Sequence, residues 1–408
     1  MGGNALVVTG PIKGVIFPRD LDPTFDFTGA RREWWATHGR PRYRPVTYPN
    51  APDPNRVLRV GYVSGDFRHH SAAIIFGPVV LGHSDRFKVY GYSTCPPGEQ
   101  DPTTGLYRDD LVWRDVHAMT TAALVQTVQE DAIDILVDLS GFTRYHRLEA
   151  FCAKPAPVQV TAWGYAVPTE LPVFDAFFSD PVHYPKGTRT CREPVVDLPC
   201  AVTYDPPPGV PEPHALPNRA PVFGSLNRAA KLDATVLHAW RDVLLQVPGS
   251  TLVLKGQSYT DDTQTWVRRE LGKAQDQVRF LPVTPHRAHI LTFQDVDLAL
   301  DPFLHSGGVT TLEGLWMGVP PVTLPGTRPF ARISASVLSV LGLHDFIVSS
   351  PEEYVAKAVE WVTTRRQELS QIRTTVRQRL QDSPVMAGYV GAVEAAYRKL
   401  WHAWCHSL

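Results

Sequence analysis

The chain has 408 residues, 43% hydrophobic and 20% charged, with a formal net charge of -1 and a pI near 6.9. That length predicts two or three domains with a full apolar core, and the near-neutral balance excludes nucleic acid or an anionic membrane as a bulk electrostatic partner, so any phosphate binding has to be local. Cys95, Cys152, Cys191, Cys200 and Cys405 are scattered without a C-x-x-C pair, which argues against a disulfide framework or zinc site and for a reducing, cytoplasmic setting.

The N-terminal stretch MGGNALVVTGPIKGVIF has no basic segment ahead of its short apolar run, which argues against a signal peptide. Leu6 stands where a myristoylation signal needs Ser or Thr. No apolar run reaches the length of a membrane span, and no internal repeat is evident. Residues 29–41, GARREWWATHGRP, read as one helix, and the rest of an N-terminal extension over 1–57 is aperiodic.

From residue 58 short β-branched runs alternate with helical periodicity. LRVGYVS (58–64), KVYGYS (88–93), IDILVDLS (133–140), PVQVTAW (157–163) and FDAFFSD (174–180) read as strands. Between them SAAIIFGPVVLGH (71–83) and TTAALVQTVQED (120–131) read as helices. This alternation predicts a doubly wound parallel sheet over 58–206. The stretch YDPPPGVPEPHALPNRAP is too rich in proline for an element interior and reads as an interdomain linker, placed at 207–220.

Over 221–385 the alternation restarts. Strands are predicted at 221–227, 250–256, 278–283, 296–301 and 321–324, and helices at 233–248, 262–275, 285–294 and 332–342. The stretch 351–380 reads as a pair of helices or one kinked helix. Over 386–408 a last helix puts Val390, Val393, Tyr397, Leu400, Trp401 and Trp404 on one face, so it should pack onto a domain. The fold class is α/β, with two Rossmann-like halves facing a cleft, where small ligands bind beyond the carboxyl ends of the strands.

The candidate chemistry lies in loops after strands. In HSGGVTTLEGLWMGVPPVTLPG (305–326), Gly307 and Gly308 stand at a strand-to-helix turn. The helix N-terminus beyond them suits a phosphate without any lysine, and Glu313 is placed to take a ribose diol. Thr310 and Glu313 read equally well as a capping box that needs no ligand. Lys231, in GSLNRAAKLD (224–233), can supply the missing cation or be an ordinary surface lysine. His286 and His289, in VTPHRAHI (283–290), can stack on a nucleobase or simply cap a helix.

In the first half, Asp66, His69 and His70 follow a strand in GYVSGDFRHHSAA (61–73). Histidine suits acid–base work at neutral pH; the plain alternative is a cap and two solvated rings. No third ligand is spaced to make the His pair a metal site. DLSGFTRYH (138–146), with Asp138 and Gly141, and WGYAVPTEL (163–171) complete six such loops.

These loops, in this order, resemble the catalytic region of the O-linked N-acetylglucosamine transferase family, with its SPINDLY-like and bacterial members, over about residues 28–405. The likeness rests on LRVGYVSGDFRHHS, DAIDILVDLSGFT, KPAPVQVTAWGY, GSLNRAAKLD, VRFLPVTPHRAHI and DLALDPFLHSGGVTTLEGLWMGVPPVTLPG. It implies a GT-B fold and an inverting transfer from a nucleotide-diphosphate sugar that needs no metal or other cofactor. UDP is favoured, because His289 suits stacking on uracil. The acceptor would be a protein Ser or Thr or a small-molecule hydroxyl.

By the same resemblance Lys231 contacts the diphosphate and Gly307, Gly308, Val309 and Thr310 cradle it, with Arg228 in the same nucleotide site. Glu313 holds ribose, His289 stacks on the base, and Thr284 and His286 flank base and ribose. His70 falls on the cleft histidine, either a base or a sugar-site group, and Asp66, Asp134, Gly164 and Tyr165 fall in the sugar and acceptor pocket. The chain departs from the family pattern at Trp163, Phe142, Arg228 and Val309, and in losing Pro-Gly-Thr after its Gly-Tyr. The 57 residues ahead of the first predicted strand hold no tetratricopeptide repeat. A GT-B sugar-nucleotide epimerase and a non-catalytic nucleotide-sugar sensor are the rival readings.

Overall fold

The computed structural model describes residue 22, residues 25–44 and residues 46–408. The signal-peptide and myristoylation readings lie outside the described residues. The helix expected at 29–41 begins at Phe27, runs as α-helix to Trp34, and continues as a π turn to Gly39 and a 3-10 turn to Arg42.

The first half folds into seven parallel strands: β1 (Leu58–Ser64), β2 (Phe87–Ser93), β3 (Val112–Asp115), β4 (Ile135–Asp138), β5 (Val158–Thr161), β6 (Ala176–Ser179) and β7 (Val195–Asp197), in the order β3-β2-β1-β4-β5-β6-β7. The second half has five, also parallel: β8 (Val222–Ser225), β9 (Thr251–Lys255), β10 (Val278–Leu281), β11 (Leu298–Leu300) and β12 (Pro321–Val322), in the order β10-β9-β8-β11-β12. Central strands such as β4 and β5 are buried along their whole length, which is why they read as apolar runs rather than alternating ones.

In each sheet the chain reverses direction of growth beside its first strand, at β1/β4 and at β8/β11. Loops on either side of such a reversal splay apart at the carboxyl end and open a crevice. The loops after β1, β4, β8 and β11 therefore have to border any site.

Two edge strands, β3 and β7, escape the sequence pattern. Their residues VWRD and VVD are only half-buried or exposed, so they lack the apolar run of a central strand. The helix Pro102–Asp110 also escapes it, because only Thr104 and Tyr107 are buried. Its start is fixed by a capping box between Asp101 and Thr104.

The proline-rich segment is docked on the second half. The guanidinium of Arg373 donates to His214 O at 3.0 Å, that of Arg377 to Pro211 O at 2.6 Å, and the Leu216 N–H to Ser370 Oγ at 3.0 Å. The stretch 351–380 is a pair of helices, Pro351–Val362 and Arg366–Gln381. The last helix, Tyr389–His406, returns to the first half. It buries Tyr389, Val393, Tyr397 and Trp401 on one stripe. Tyr397 Oη lies 3.1 Å from Tyr62 Oη, and Trp401 Nε1 donates to Asp53 O at 3.0 Å. Among the described residues no helix is long and apolar enough to cross a membrane.

Candidate active site

The helix Val309–Trp316 starts right after the glycine turn that follows β11. Its N-cap, Gly308, carries no side-chain cap. The capping-box alternative is not formed: the Thr310 hydroxyl donates to Asn227 Oδ1 at 3.1 Å, and Glu313 turns to His286. The first-turn N–H groups are thus left unclaimed by any side-chain cap. The turn itself is fixed from below. Gly307 N donates to Asp301 Oδ1 at 2.7 Å and Gly307 O accepts from Ser334 Oγ at 3.0 Å. A side chain at Gly307 would collide with the Thr311 hydroxyl, whereas beside Gly308 the nearest atom to such a carbon is Ile333 Cγ2 at 3.9 Å.

Lys231 ends a short 3-10 turn after β8 and is buried. Its Nζ donates to Asn227 Oδ1 at 3.0 Å and to Ser306 O at 2.8 Å. Burial pushes its pKa down to about 7, against the pull of Asp301 and with a further push from Arg228. Lys231, Arg228, Gly308, Val309 and Thr310 line one wall of a cleft of about 440 Å³.

The opposite wall comes from the first half and includes Asp66, His70, Gly164 and Tyr165. His70 caps the helix Ser71–Val80: its Nδ1 accepts from Ala72 N at 3.2 Å. Asp66 Oδ2 is farther from the same atom, at 3.4 Å. Burial lowers the His70 pKa and Asp66 opposes it, while burial raises that of Asp66. A backbone N–H can only donate, so neutral His70 carries its proton on Nε2. Gly164 sits so tightly on the Leu139 carbonyl that any side chain there would overlap it. Trp163 precedes it with a φ of 44° and donates from Nε1 to Tyr389 Oη at 2.9 Å.

One turn into the glycine-loop helix, buried Glu313 has its Oε1 2.6 Å from His286 Nε2 and its Oε2 4.0 Å from His289 Nε2. Burial lowers the His289 pKa, with Glu313 opposing. The Thr284 hydroxyl accepts from Lys255 Nζ at 2.7 Å. His69 reaches over from the first half, its ring 4.9 Å from that of His286.

The chain matches the family model described as glycosyl transferase family 41 over residues 40–190 and 211–390. It belongs to that family. SPINDLY of Arabidopsis thaliana, described as a probable UDP-N-acetylglucosamine–peptide N-acetylglucosaminyltransferase, is 34% identical over 92% of this chain and 43% of its own length. The Oryza sativa protein of the same description is 33% identical over 94% of this chain and 43% of its own length. The chain thus spans less than half of these curated relatives. A lysine-to-methionine mutant of Thermobaculum terrenum O-GlcNAc transferase superposes with a TM-score of 0.88 at 32% identity, over 95% of this chain and 76% of that one. Anabaena HepE, in complex with UDP and glucose, shares the fold at 13% identity, with a TM-score of 0.53 over 83% of this chain and 99% of that one. The two facing parallel-sheet halves are the GT-B fold.

In this family 41 chain the cleft brings together Asp66, His70, Gly164, Tyr165, Arg228, Lys231, Gly308, Val309 and Thr310, with Gly307 behind the turn. Glu313, His286, His289 and Thr284 gather beside it as a second cluster. Asp134 has to be reassigned. It precedes β4, at the amino end of the sheet, where it pairs with Arg56 and accepts from Asn50 Nδ2 and Arg59 N, each at 2.7 Å. Ligands bind beyond the carboxyl ends, so Asp134 holds the fold. Asp138 holds the loop after β4: it accepts from Gly141 N at 2.9 Å and from the Thr161 hydroxyl at 3.0 Å. Asn227 and Lys255 were missed in the sequence. Asn227 lies in the quoted lysine loop, but an amide there reads like any turn residue. Lys255, inside an apolar strand end, gives no signal of its own.

Proposed function

We propose that this chain moves a sugar, N-acetylglucosamine or another hexose, from a UDP-linked donor to a hydroxyl acceptor, with inversion and without a divalent metal. A protein Ser or Thr is the first acceptor to test. The observation that carries this reading is one cleft in which a buried lysine and an uncapped helix start face His70, Gly164 and Tyr165 of the other half. Membership of family 41 and the printed activities of the SPINDLY and O-GlcNAc transferase relatives support the reaction class. Five free thiols fit a reducing, cytoplasmic compartment.

In this reading the diphosphate lies on the wall of Gly308, Val309, Thr310 and Lys231. The acceptor oxygen attacks the anomeric carbon from the first-half side, in line with the leaving phosphate oxygen. As one C–O bond forms and the other breaks, negative charge collects on the nucleoside diphosphate. Lys231 and the helix-start N–H groups meet that charge. A diphosphate beside Lys231 raises its pKa, so the side chain is an ammonium when the charge develops. In this reading the Lys231 ammonium and the helix-start N–H groups supply the neutralisation. The acceptor's hydroxyl proton passes to the departing diphosphate, which gains the electron pair of the broken C–O bond, while His70, with Nδ1 turned to Ala72, donates to substrate through Nε2.

A thermal-shift screen of UDP, GDP and their sugar conjugates, followed by transfer assays with EDTA, tests the reading. UDP ligands should raise the melting temperature, and transfer should survive chelation. A protein stabilised by no nucleotide would sink it.

A further inference from the structure

Lys231, Arg228 and the helix start account for a diphosphate, and His305 is a polar side chain of the same cleft wall that this account leaves without a task. His305 lines the cleft at 9% exposure. Its ring lies against Phe330, with centroids 5.2 Å apart. Phe330 packs in turn with Tyr165 and Val167 of the loop after β5. His305 therefore sits where the second half meets the loop that walls the acceptor side.

The Nδ1 of His305 is enclosed and has no hydrogen-bond partner among the described residues. An enclosed N–H without an acceptor is a rarer and costlier defect than an enclosed lone pair without a donor. The proton therefore belongs on Nε2. Burial, with the charges of Lys231 and Arg228 nearby, keeps the ring neutral. With Nδ1 enclosed, Nε2 is the polar atom of this ring left for a ligand in the cleft.

We propose that His305 reads the transferred sugar, its Nε2–H donating to a hydroxyl or carbonyl oxygen of that sugar. This rests on the donor-site reading above. The sugar is the target rather than the diphosphate because of the order along the loop. Ser306, Gly307 and Gly308 separate His305 from the helix start. Ser306 spends its carbonyl on Lys231, while its hydroxyl donates to Phe330 O at 3.2 Å and accepts from Ile333 N at 2.9 Å. The phosphate wall lies beyond Ser306, and the side of His305 toward Tyr165 is left for the sugar.

The test is calorimetry of UDP and of UDP-N-acetylglucosamine with wild type, His305→Phe and His305→Gln. Phe keeps a ring against Phe330 and loses the N–H; Gln restores a donor. His305→Phe should bind UDP within about twofold of wild type and UDP-N-acetylglucosamine at least about tenfold more weakly, and His305→Gln should recover part of that loss. Equal weakening for both ligands would make His305 a phosphate contact, and no change for either would make it packing; both outcomes overturn the proposal. So does His305→Gln binding the sugar nucleotide no better than His305→Phe. Wild type that binds neither ligand overturns the donor-site reading itself, and this proposal with it.

Discussion

Asn227 Oδ1 accepts from Lys231 Nζ at 3.0 Å and from the Thr310 hydroxyl at 3.1 Å. One amide oxygen thus ties the cation of the loop after β8 to the helix after β11. The other partner of the ammonium is the Ser306 carbonyl, so neutral oxygens hold it in a buried place. That arrangement keeps the lysine poised until an anion arrives.

The pH dependence of UDP binding follows. Free Lys231 has a pKa pushed down to about 7, and a bound diphosphate raises it. The protonated form binds better, so affinity should fall as pH rises above 7. The fall is at most about tenfold per pH unit and ends at the raised pKa of the complex. Calorimetry between pH 7 and 9, in buffers of different ionisation enthalpy, should show a proton taken up on binding. Lys231→Met should bind UDP weakly at every pH, without the slope, and should lose transfer while keeping its melting temperature. A flat profile in wild type would count against Lys231 as the diphosphate cation.

Glu313 and His286 already hold each other at 2.6 Å, so a ribose diol has to share or displace the histidine. Glu313→Gln should weaken UDP binding by about tenfold or more, the scale of one charge-assisted hydrogen bond. It should also erase the preference for UDP over its 2′,3′-dideoxy analogue. If the preference survives in Glu313→Gln, the ribose lies elsewhere.

The two glycines of the turn should behave differently. Alanine at Gly307 would force its methyl against the Thr311 and Thr310 hydroxyls and should destabilise the protein by about 1–3 kcal/mol. Alanine at Gly308 meets nothing closer than 3.9 Å and should melt like wild type, but its methyl is added on the wall assigned to phosphate and should weaken UDP binding. Melting curves and UDP titrations on the same two variants separate these effects. Reversed results would exchange the roles of the two positions.

The pattern of legibility has a physical basis. Buried parallel strands such as β1 announce themselves because both faces need apolar residues, whereas edge strands β3 and β7 carry too few to be seen. The cleft loops were visible because glycines, a lysine and histidines cluster after strand ends. The capping-box reading of Thr310 and Glu313 failed because tertiary partners, Asn227 and His286, outcompeted the local ones. Asp134 misled because sequence gives a residue its strand, while the end of the strand decides whether it faces ligand.

That reassignment makes the last prediction. Asp134 is fully buried, with Arg56, Asn50 and the Arg59 N–H around it. Asp134→Ala takes the acceptor from the Arg59 N–H and from Arg56 Nη2, leaving the guanidinium facing a cavity, while Asn50 Nδ2 keeps the Ala132 and Ile133 carbonyls. Arg56 is 23% exposed and can turn toward water, so the loss should sit at the low end for a broken buried pair, about 3 kcal/mol. Chemical denaturation should show that fall, while KM for the nucleotide sugar and kcat per folded molecule stay within about twofold of wild type, because ligands bind at the other end of the strands. A variant of undiminished stability with a tenfold higher KM would put Asp134 back in the pocket.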